Sequence, residues 1–297
     1  MTNITLLDGA LGQELVKRSG DRATPLWSTQ VMIDHPELVT GLHRDYFAAG
    51  ATIATTNTYA VHRSRLERVG LDDQHAKLLD TALKAAETAR ADYPKARIAG
   101  SLGPLLASYR PDLDPDLALA ESRFAEIATV MKNRVDLLLI ETVSSVTEAE
   151  GALRGAAHAD LPVWIAFSVD DFDGTRLRSG EPVADILPVI KDRVEAVLIN
   201  CCRPEAIEAA LPTLVRSGLP FGAYANGFTK ISDGFKSDFP TVDALEQRTD
   251  LSPQAYADFA ISWVDAGATI VGGCCEVGPE HITELAVRLR NKGHTLV

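Results

Sequence analysis

Eight times along this chain a short apolar or β-branched run is followed by a stretch with helical spacing. The runs fall at 4–7, 52–59, 97–102, 136–143, 163–168, 196–200, 221–226 and 269–271. The helical stretches lie at 35–49, 63–69, 72–92, 116–133, 145–159, 183–192, 204–217, 253–266 and 279–291. Strands that read as continuous apolar runs are buried on both faces, which is the mark of a parallel sheet covered by helices. Eight strand–helix repeats in about 250–300 residues make the pattern of a (β/α)8 barrel, a TIM-barrel architecture. No shift in composition divides the 297 residues, so one domain over 1–297 is expected. A doubly wound open sheet is the alternative. Neither Gly-x-Gly-x-x-Gly nor the phosphate-loop lysine motif occurs, which weakens it.

In a barrel the C-terminal ends of all strands converge on one mouth. Asp8, Asn57, Glu141, Asn200, Cys201, Asn226, Cys274 and Cys275 all sit at such ends. The four cysteines of the chain form two adjacent pairs, Cys201-Cys202 and Cys274-Cys275, each where an apolar run stops. Neighbours on a pleated strand point to opposite faces, so such a pair does not ordinarily share one ligand. Glycines relax that rule, and Gly272-Gly273 precede the second pair. Cys274 and Cys275, with one of Cys201 or Cys202, then form three thiolates around an open fourth position, the ligand set of a reactive zinc site. Core packing is the plainer reading, because free cysteine behaves as a small hydrophobe. Two glycines, and the absence of cysteine away from the two strand ends, favour the metal.

Forty-one acidic against 29 basic residues give a formal net charge of -12, which argues against nucleic acid as a partner. The same balance suits a cationic small molecule. No apolar run approaches the roughly 20 residues a membrane-spanning helix needs. The chain opens Met-Thr-Asn without a signal-peptide pattern, so a cytoplasmic protein without disulfides is expected. The segment 227–250 lacks periodicity and is long for a connection, which suits a functional βα loop or an exposed excursion. His281, in the last helical stretch, is expected on a solvated face.

Several motifs resemble the homocysteine S-methyltransferase family, zinc-dependent enzymes that remethylate homocysteine to methionine. They are Asp8-Gly9-Ala10-Leu11-Gly12, Pro25-Leu26-Trp27-Ser28, Tyr46-Phe47-Ala48-Ala49-Gly50-Ala51, Thr55-Thr56-Asn57-Thr58-Tyr59 and Ile140-Glu141-Thr142. Arg178-Ser179-Gly180-Glu181-Pro182, Asn200-Cys201 and Gly272-Gly273-Cys274-Cys275 complete the set, which spans the whole chain. The resemblance implies Zn2+ held by Cys201, Cys274 and Cys275, with Cys202 as a spare facing away. It implies that Asp8, the backbone of Gly9 and Ala10, and Glu141 hold the amino acid end of homocysteine. Thr55, Asn57 and Tyr59 match a second wall of that pocket. The chemistry agrees: a free alkyl thiol is mostly protonated at neutral pH, and zinc coordination ionises it without a protein base. Carboxylates suit an α-ammonium group through charge-assisted hydrogen bonds. Ordinary roles compete, since Asp-Gly is a frequent turn and a strand-end Glu is often a helix cap.

Two departures bear on the methyl donor. Members using S-methylmethionine usually carry Gln after the tyrosine matching Tyr59, where this chain has Ala60 and then Val61-His62-Arg63. The segment 103–112 resembles some members and not the betaine-dependent branch, and the chain is too short for folate and cobalamin modules. A sulfonium donor, S-methylmethionine or S-adenosylmethionine, is therefore expected ahead of betaine. Tyr59, Tyr109 and Phe228 are the expected aromatic contacts for that cation. The rival classes are a redox or metal-handling protein built on the vicinal cysteines, and a non-catalytic barrel with a structural zinc. The redox or metal-handling reading leaves Asp8 and Glu141 without a task.

Overall fold

The computed structural model describes residues 2–22, 24–236 and 241–297. Strands β1 (Asn3–Leu6), β2 (Ile53–Thr55), β3 (Arg97–Leu102), β4 (Leu137–Val143), β5 (Val163–Phe167), β6 (Ala196–Asn200), β7 (Phe221–Tyr224), β8 (Ile270–Val271) and β9 (Thr295–Leu296) form one sheet. All pairings are parallel, in the order β2-β3-β4-β5-β6-β7-β8-β1-β9. The barrel closes between β1 and β2, where the Thr52 amide donates to the Leu6 carbonyl at 2.7 Å. Strand β9 takes the N-terminal half of that same edge of β1, pairing Asn3 with Thr295 and Ile4 with Leu296.

Eleven α-helices are described: α1 (Gly12–Ser19), α2 (Ser28–Asp34), α3 (Pro36–Ala49), α4 (Arg63–Leu66), α5 (His75–Arg90), α6 (Leu117–Met131), α7 (Val146–Ala156), α8 (Ile186–Ile190), α9 (Pro204–Arg216), α10 (Pro253–Asp265) and α11 (Pro279–Asn291). Their starts are chemically marked. Asp116, Ser145 and Ser252 each accept a hydrogen bond from an amide three residues on. Helices α3, α9, α10 and α11 begin with proline, where a missing amide proton costs nothing.

Strand alternation splits the buried apolar residues into two layers. Leu7, Ile53, Ala99, Leu137, Leu139, Ala166, Leu198 and Ile270 belong to the cluster inside the barrel, so its interior is packed. Ile98, Leu138, Ile140, Ile165, Val197, Ile199 and Val271 point outward and pack with the inner faces of the helices. Each large side chain buried this way contributes about 1.5–3 kcal/mol.

The eight expected strands and the (β/α)8 architecture are present, with three differences. Helices α1 and α2 were not expected. Helix α2 buries Ser28 and Thr29 beside Val31 and Met32, and α1 buries Gln13 beside Leu15, so polar residues occupy core-facing positions and mask the periodicity. The run expected to reach residue 59 leaves the ladder after Thr55. Beyond it the threonines bond through side chains: Thr56 Oγ1 accepts the Ser101 amide at 3.0 Å, and Thr58 Oγ1 donates to the Ser101 carbonyl at 2.7 Å. The third difference is His281, which is half-buried with both ring nitrogens engaged rather than on a solvated face. Its Nδ1 accepts the Gly278 amide at 3.2 Å and its Nε2 lies 3.2 Å from the Leu251 carbonyl, closing the start of α11. Among the described residues no helix is long and apolar enough to cross a membrane.

Candidate active site

A cavity of about 860 Å3 opens at the C-terminal ends of the strands, and the residues expected to hold the metal and the homocysteine all lie on its wall. These are Asp8, Gly9, Ala10, Thr55, Asn57, Tyr59, Glu141, Cys201, Cys274 and Cys275. Cys202 is not among them. It is fully buried in the outer apolar layer, and burial pushes its thiol up to about 12.

The sulfurs of Cys201, Cys274 and Cys275 form a compact trio. Sγ of Cys201 lies 2.7 Å from that of Cys274 and 3.6 Å from that of Cys275, and the last two are 4.0 Å apart. These separations bracket the edge of about 3.8 Å that 2.3 Å zinc–sulfur bonds give at tetrahedral angles. All four cysteines are free, and the trio is the one metal-capable group of its kind among the described residues. Burial opposes ionising Cys201, but hydrogen bonds from Cys274, Cys275 and Tyr109 outweigh it and hold that thiol well below its ordinary range. Cys274 is pushed well above, first by its bond to Cys201. Three converging sulfurs, of which that of Cys201 is readily ionised, are a donor set that a divalent cation satisfies, so the residues fit a metal.

Backbone geometry explains how adjacent cysteines share one side. Neither Gly272 nor Gly273 adopts left-handed backbone. They are needed for close approach: a Cβ on Gly272 would sit 2.5 Å from Leu7 Cβ, and one on Gly273 2.2 Å from Val277 Cγ1. The turn itself follows, with the Val277 amide donating to the Cys274 carbonyl at 3.0 Å and Glu276 at φ 65°. On the other arm Cys201 is at φ 51°, which breaks strand alternation and turns its sulfur to the mouth while Cys202 stays in the core. Beneath it the Arg178 guanidinium grips Asp171 at 2.9 and 2.8 Å, reaches the Cys201 carbonyl at 3.4 Å and lies 5.2 Å from the Tyr109 ring centre. Asp171 also accepts the amides of Arg203 and Ile231, tying this support to the segment 227–250.

Across the cavity stand the two carboxylates. Asp8 accepts the Thr55 amide at 2.7 Å and the Thr55 hydroxyl at 2.8 Å, so it fastens β1 to β2 as well as facing the cavity. Glu141 accepts the Ser101 hydroxyl at 2.5 Å and the Tyr224 hydroxyl at 2.9 Å. It lies in an irregularity of β4, where the register against β5 shifts between Ile140 and Val143. Asn200 bonds the Thr142 amide and hydroxyl, each at 3.0 Å, and so holds Thr142 at φ 60°. A bulge of this kind re-aims a side chain. Burial pushes Asp8 up to about 8, with Thr55 pulling down and Glu141 adding to the rise. Burial likewise pushes Glu141 up to about 7, against the hydrogen bonds of Ser101 and Tyr224.

Other expected residues play mixed parts. The Ala10 amide is committed to the Val277 carbonyl at 2.9 Å, and Asn57 Nδ2 donates to the Ser28 carbonyl at 3.2 Å. Tyr59 and Tyr109 line the cavity; Phe228 does not, being buried behind it with Ile231 and Phe235. Trp27 and Phe235 stand in the aromatic wall instead, with ring centres 5.6 Å apart, and Trp27 stacks on Tyr59 at 6.3 Å. Of these, Phe235 was not expected from the sequence, nor were Ser101, Tyr224 and Gln13 on the cavity wall. Ser101 and Tyr224 stand near the ends of β3 and β7, so their position alone marks them. The segment 227–250 supplies Phe235 and Leu245 to the wall; its residues 237–240 lie outside the described residues.

The comparisons with known proteins agree with this site. Residues 5–289 match the family model described as homocysteine S-methyltransferase. The chain is 31% identical to the homocysteine S-methyltransferase of Escherichia coli strain K12, across 96% of this chain and 95% of that protein. It is 26% identical to the selenocysteine Se-methyltransferase of Brassica oleracea var. italica, across 96% and 88% of the two chains. Its fold is similar to the metallated form of the homocysteine methyltransferase MmuM from Escherichia coli, with a TM-score of 0.80, 28% identity and coverage of 97% and 96%. The chain belongs to the homocysteine S-methyltransferase family.

Proposed function

We propose that this enzyme transfers a methyl group from a sulfonium donor to the sulfur of homocysteine, forming methionine, with zinc as the metal of Cys201, Cys274 and Cys275. One observation carries the reading: three free thiols converge on a cavity that also holds two buried carboxylates, Asp8 and Glu141. Zinc, when bound to three thiolates, supplies a Lewis acid that lowers the pKa of a thiol at its fourth position. The protein does the rest by positioning. Asp8 and Glu141 are both drawn toward their neutral forms by burial, so an arriving α-ammonium finds two acceptors that ionise as it docks. Thr55, Ser101 and Tyr224 orient those carboxylates, while Gly9, Ala10, Asn57 and Tyr59 shape the wall around the amino acid.

The donor approaches through the aromatic wall of Trp27, Tyr59, Tyr109 and Phe235. The donor's carbon–sulfur bond breaks as the new one to homocysteine forms. Its electron pair stays on the donor sulfur, which becomes a neutral thioether, and the acceptor's thiol proton goes to solvent. Because the positive charge vanishes in the reaction, ring faces suit the donor better than a carboxylate would: they attract the cation without holding the ground state too firmly. In-line placement of the methyl carbon supplies much of the acceleration.

A panel of donors assayed with homocysteine, alongside metal analysis of the purified enzyme, tests the reading. About one zinc per chain is expected, with fastest transfer from S-methylmethionine, slower transfer from S-adenosylmethionine and little from betaine. Robust turnover with betaine and none with either sulfonium would overturn the donor assignment. Full activity in metal-free enzyme would overturn the role of the cysteines.

A further inference from the structure

A second cavity, of about 550 Å3, adjoins the first and shares Trp27, Ala60 and Phe235 with it. Its distinctive lining is cationic: Arg65 and Arg68 face it, and no acidic residue does. Arg65 is half-buried in the short helix α4, and its Nε and Nη2 both donate to one neutral acceptor, the Pro104 carbonyl, at 3.1 and 2.8 Å. Its guanidinium lies 5.6 Å from the centre of the Tyr59 ring. Among the described residues Arg65 makes no ion pair, and the nearest acidic influence on it is that of buried Glu148, acting through space. The arrangement is costly, because a guanidinium drawn out of water is ordinarily matched by an anion. The shared wall holds an unmet donor: the indole Nε1 of Trp27 is buried without a partner.

A guanidinium bonded to a neutral carbonyl and an unmet indole donor, beside an aromatic wall, call for an anionic group attached to a cation. We infer that this cavity is the subsite for the α-carboxylate of an amino-acid sulfonium donor, held by Arg65 and the Trp27 indole while its methyl-bearing sulfur reaches the first cavity. The inference rests on the sulfonium reading above. It explains why an overall acidic protein keeps beside its active site an arginine that makes no ion pair among the described residues, since the donor brings a carboxylate four bonds from its sulfur. Guanidinium and carboxylate meet in a bidentate pair, which fixes direction as well as distance. Arg65 is in this sense a determinant of donor specificity and takes no part in the chemistry of the acceptor.

The test compares S-methylmethionine with its α-carboxamide, which keeps the sulfonium and loses the anion. Arg65→Gln should raise the KM of S-methylmethionine at least tenfold, leave the KM of the carboxamide within twofold, and leave zinc content and the KM of homocysteine unchanged. Arg65→Lys, which keeps the charge without the planar fork, should fall between. A purely structural role, acting through the Pro104 carbonyl and Tyr59, would weaken both donors alike, and that result overturns the inference while leaving the sulfonium reading standing. An unchanged KM for S-methylmethionine in Arg65→Gln does the same. Failure of the wild-type enzyme to use either sulfonium overturns the donor reading and the subsite with it.

Discussion

At the bottom of the barrel, where helices hand the chain back to strands, left-handed backbone falls on Gly50, Asn133, Asp160, Asp192, Gly218, Gly267 and Gly293. At the mouth it falls also on Trp27, Tyr109, Thr142, Cys201 and Glu276. The first group is the one physical chemistry favours, because glycine adopts that region freely and Asn and Asp tolerate it. The second contains a β-branched residue and two bulky aromatics, for which the same torsion costs on the order of 1–3 kcal/mol each. Such residues persist only where their surroundings over-determine them. Here the surroundings are visible: Asn200 grips Thr142, and Arg178 lies over Tyr109 and beside the Cys201 carbonyl. The bottom turns the chain by the cheapest route, whereas the mouth spends stability to aim side chains.

The largest expected effect separates two neighbours across that divide. Cys201→Ser should lower bound metal and bring methyl transfer to background, as should Cys274→Ser and Cys275→Ser. Cys202→Ser, one residue away in the packed outer layer, should keep both metal and activity and lose only about 1–3 kcal/mol of stability for a buried hydroxyl. Metal content and turnover read side by side decide it, and equal metal loss in the Cys202 variant would erase the contrast.

A second, smaller effect lies in the carboxylates. Burial holds Glu141 at about 7 against an ordinary value of 4.5, so the folded state keeps a proton that the unfolded state has lost. Between these values the native state binds more protons, and stability therefore falls as pH rises from about 4.5 to 7 and then levels. Glu141→Gln removes that slope, so its melting temperature without substrate should vary less with pH than that of wild type. It should also raise the KM of homocysteine by roughly ten- to a hundredfold, since losing a charge-assisted contact costs about 1.5–3 kcal/mol. An unchanged slope and an unchanged KM together would remove Glu141 from the acceptor pocket.

The same divide marks what could be read from the sequence. The eight apolar runs, the strand-end positions of Asp8 and Glu141 and the two cysteine pairs were legible, because strand periodicity and residue chemistry are local properties. Left-handed torsion at Cys201, Thr142 and Glu276 was not legible, since nothing in those residue types asks for it. Gly272-Gly273 were correctly marked as necessary but for the wrong reason: the need is the close approach of Leu7 and Val277, a contact made only in the folded barrel. Phe235 stands in the wall where Phe228 was expected; both lie in the segment 227–250, whose lack of periodicity gives no sign of which ring faces the cavity. Helices α1 and α2 hid behind the buried polar residues Gln13, Ser28 and Thr29, of which Gln13 and Ser28 line the cavity.

The smallest expected effect tests the contrast most directly. Glu276 occupies the third position of the turn that presents Cys274 and Cys275, a place where φ is positive and glycine is the favoured residue. Glu276→Gly should relieve backbone strain worth about 1 kcal/mol, offset in part by the ion pair to Lys17, whose exposed partner makes it worth little. Glu276→Ala keeps the strain and loses the same ion pair, so the glycine variant should be more stable than the alanine variant by about 1 kcal/mol in denaturant titrations. At the bottom of the barrel, replacing Asn133 by glycine should change stability by only a few tenths of a kcal/mol, because asparagine already tolerates the torsion. If the mouth spends stability for aim, Glu276→Gly should also bind metal less tightly than Glu276→Ala, as glycine frees the turn that alanine still holds. A glycine variant no more stable than the alanine variant would mean the turn stores no strain, and the two ends of the barrel would differ only in composition.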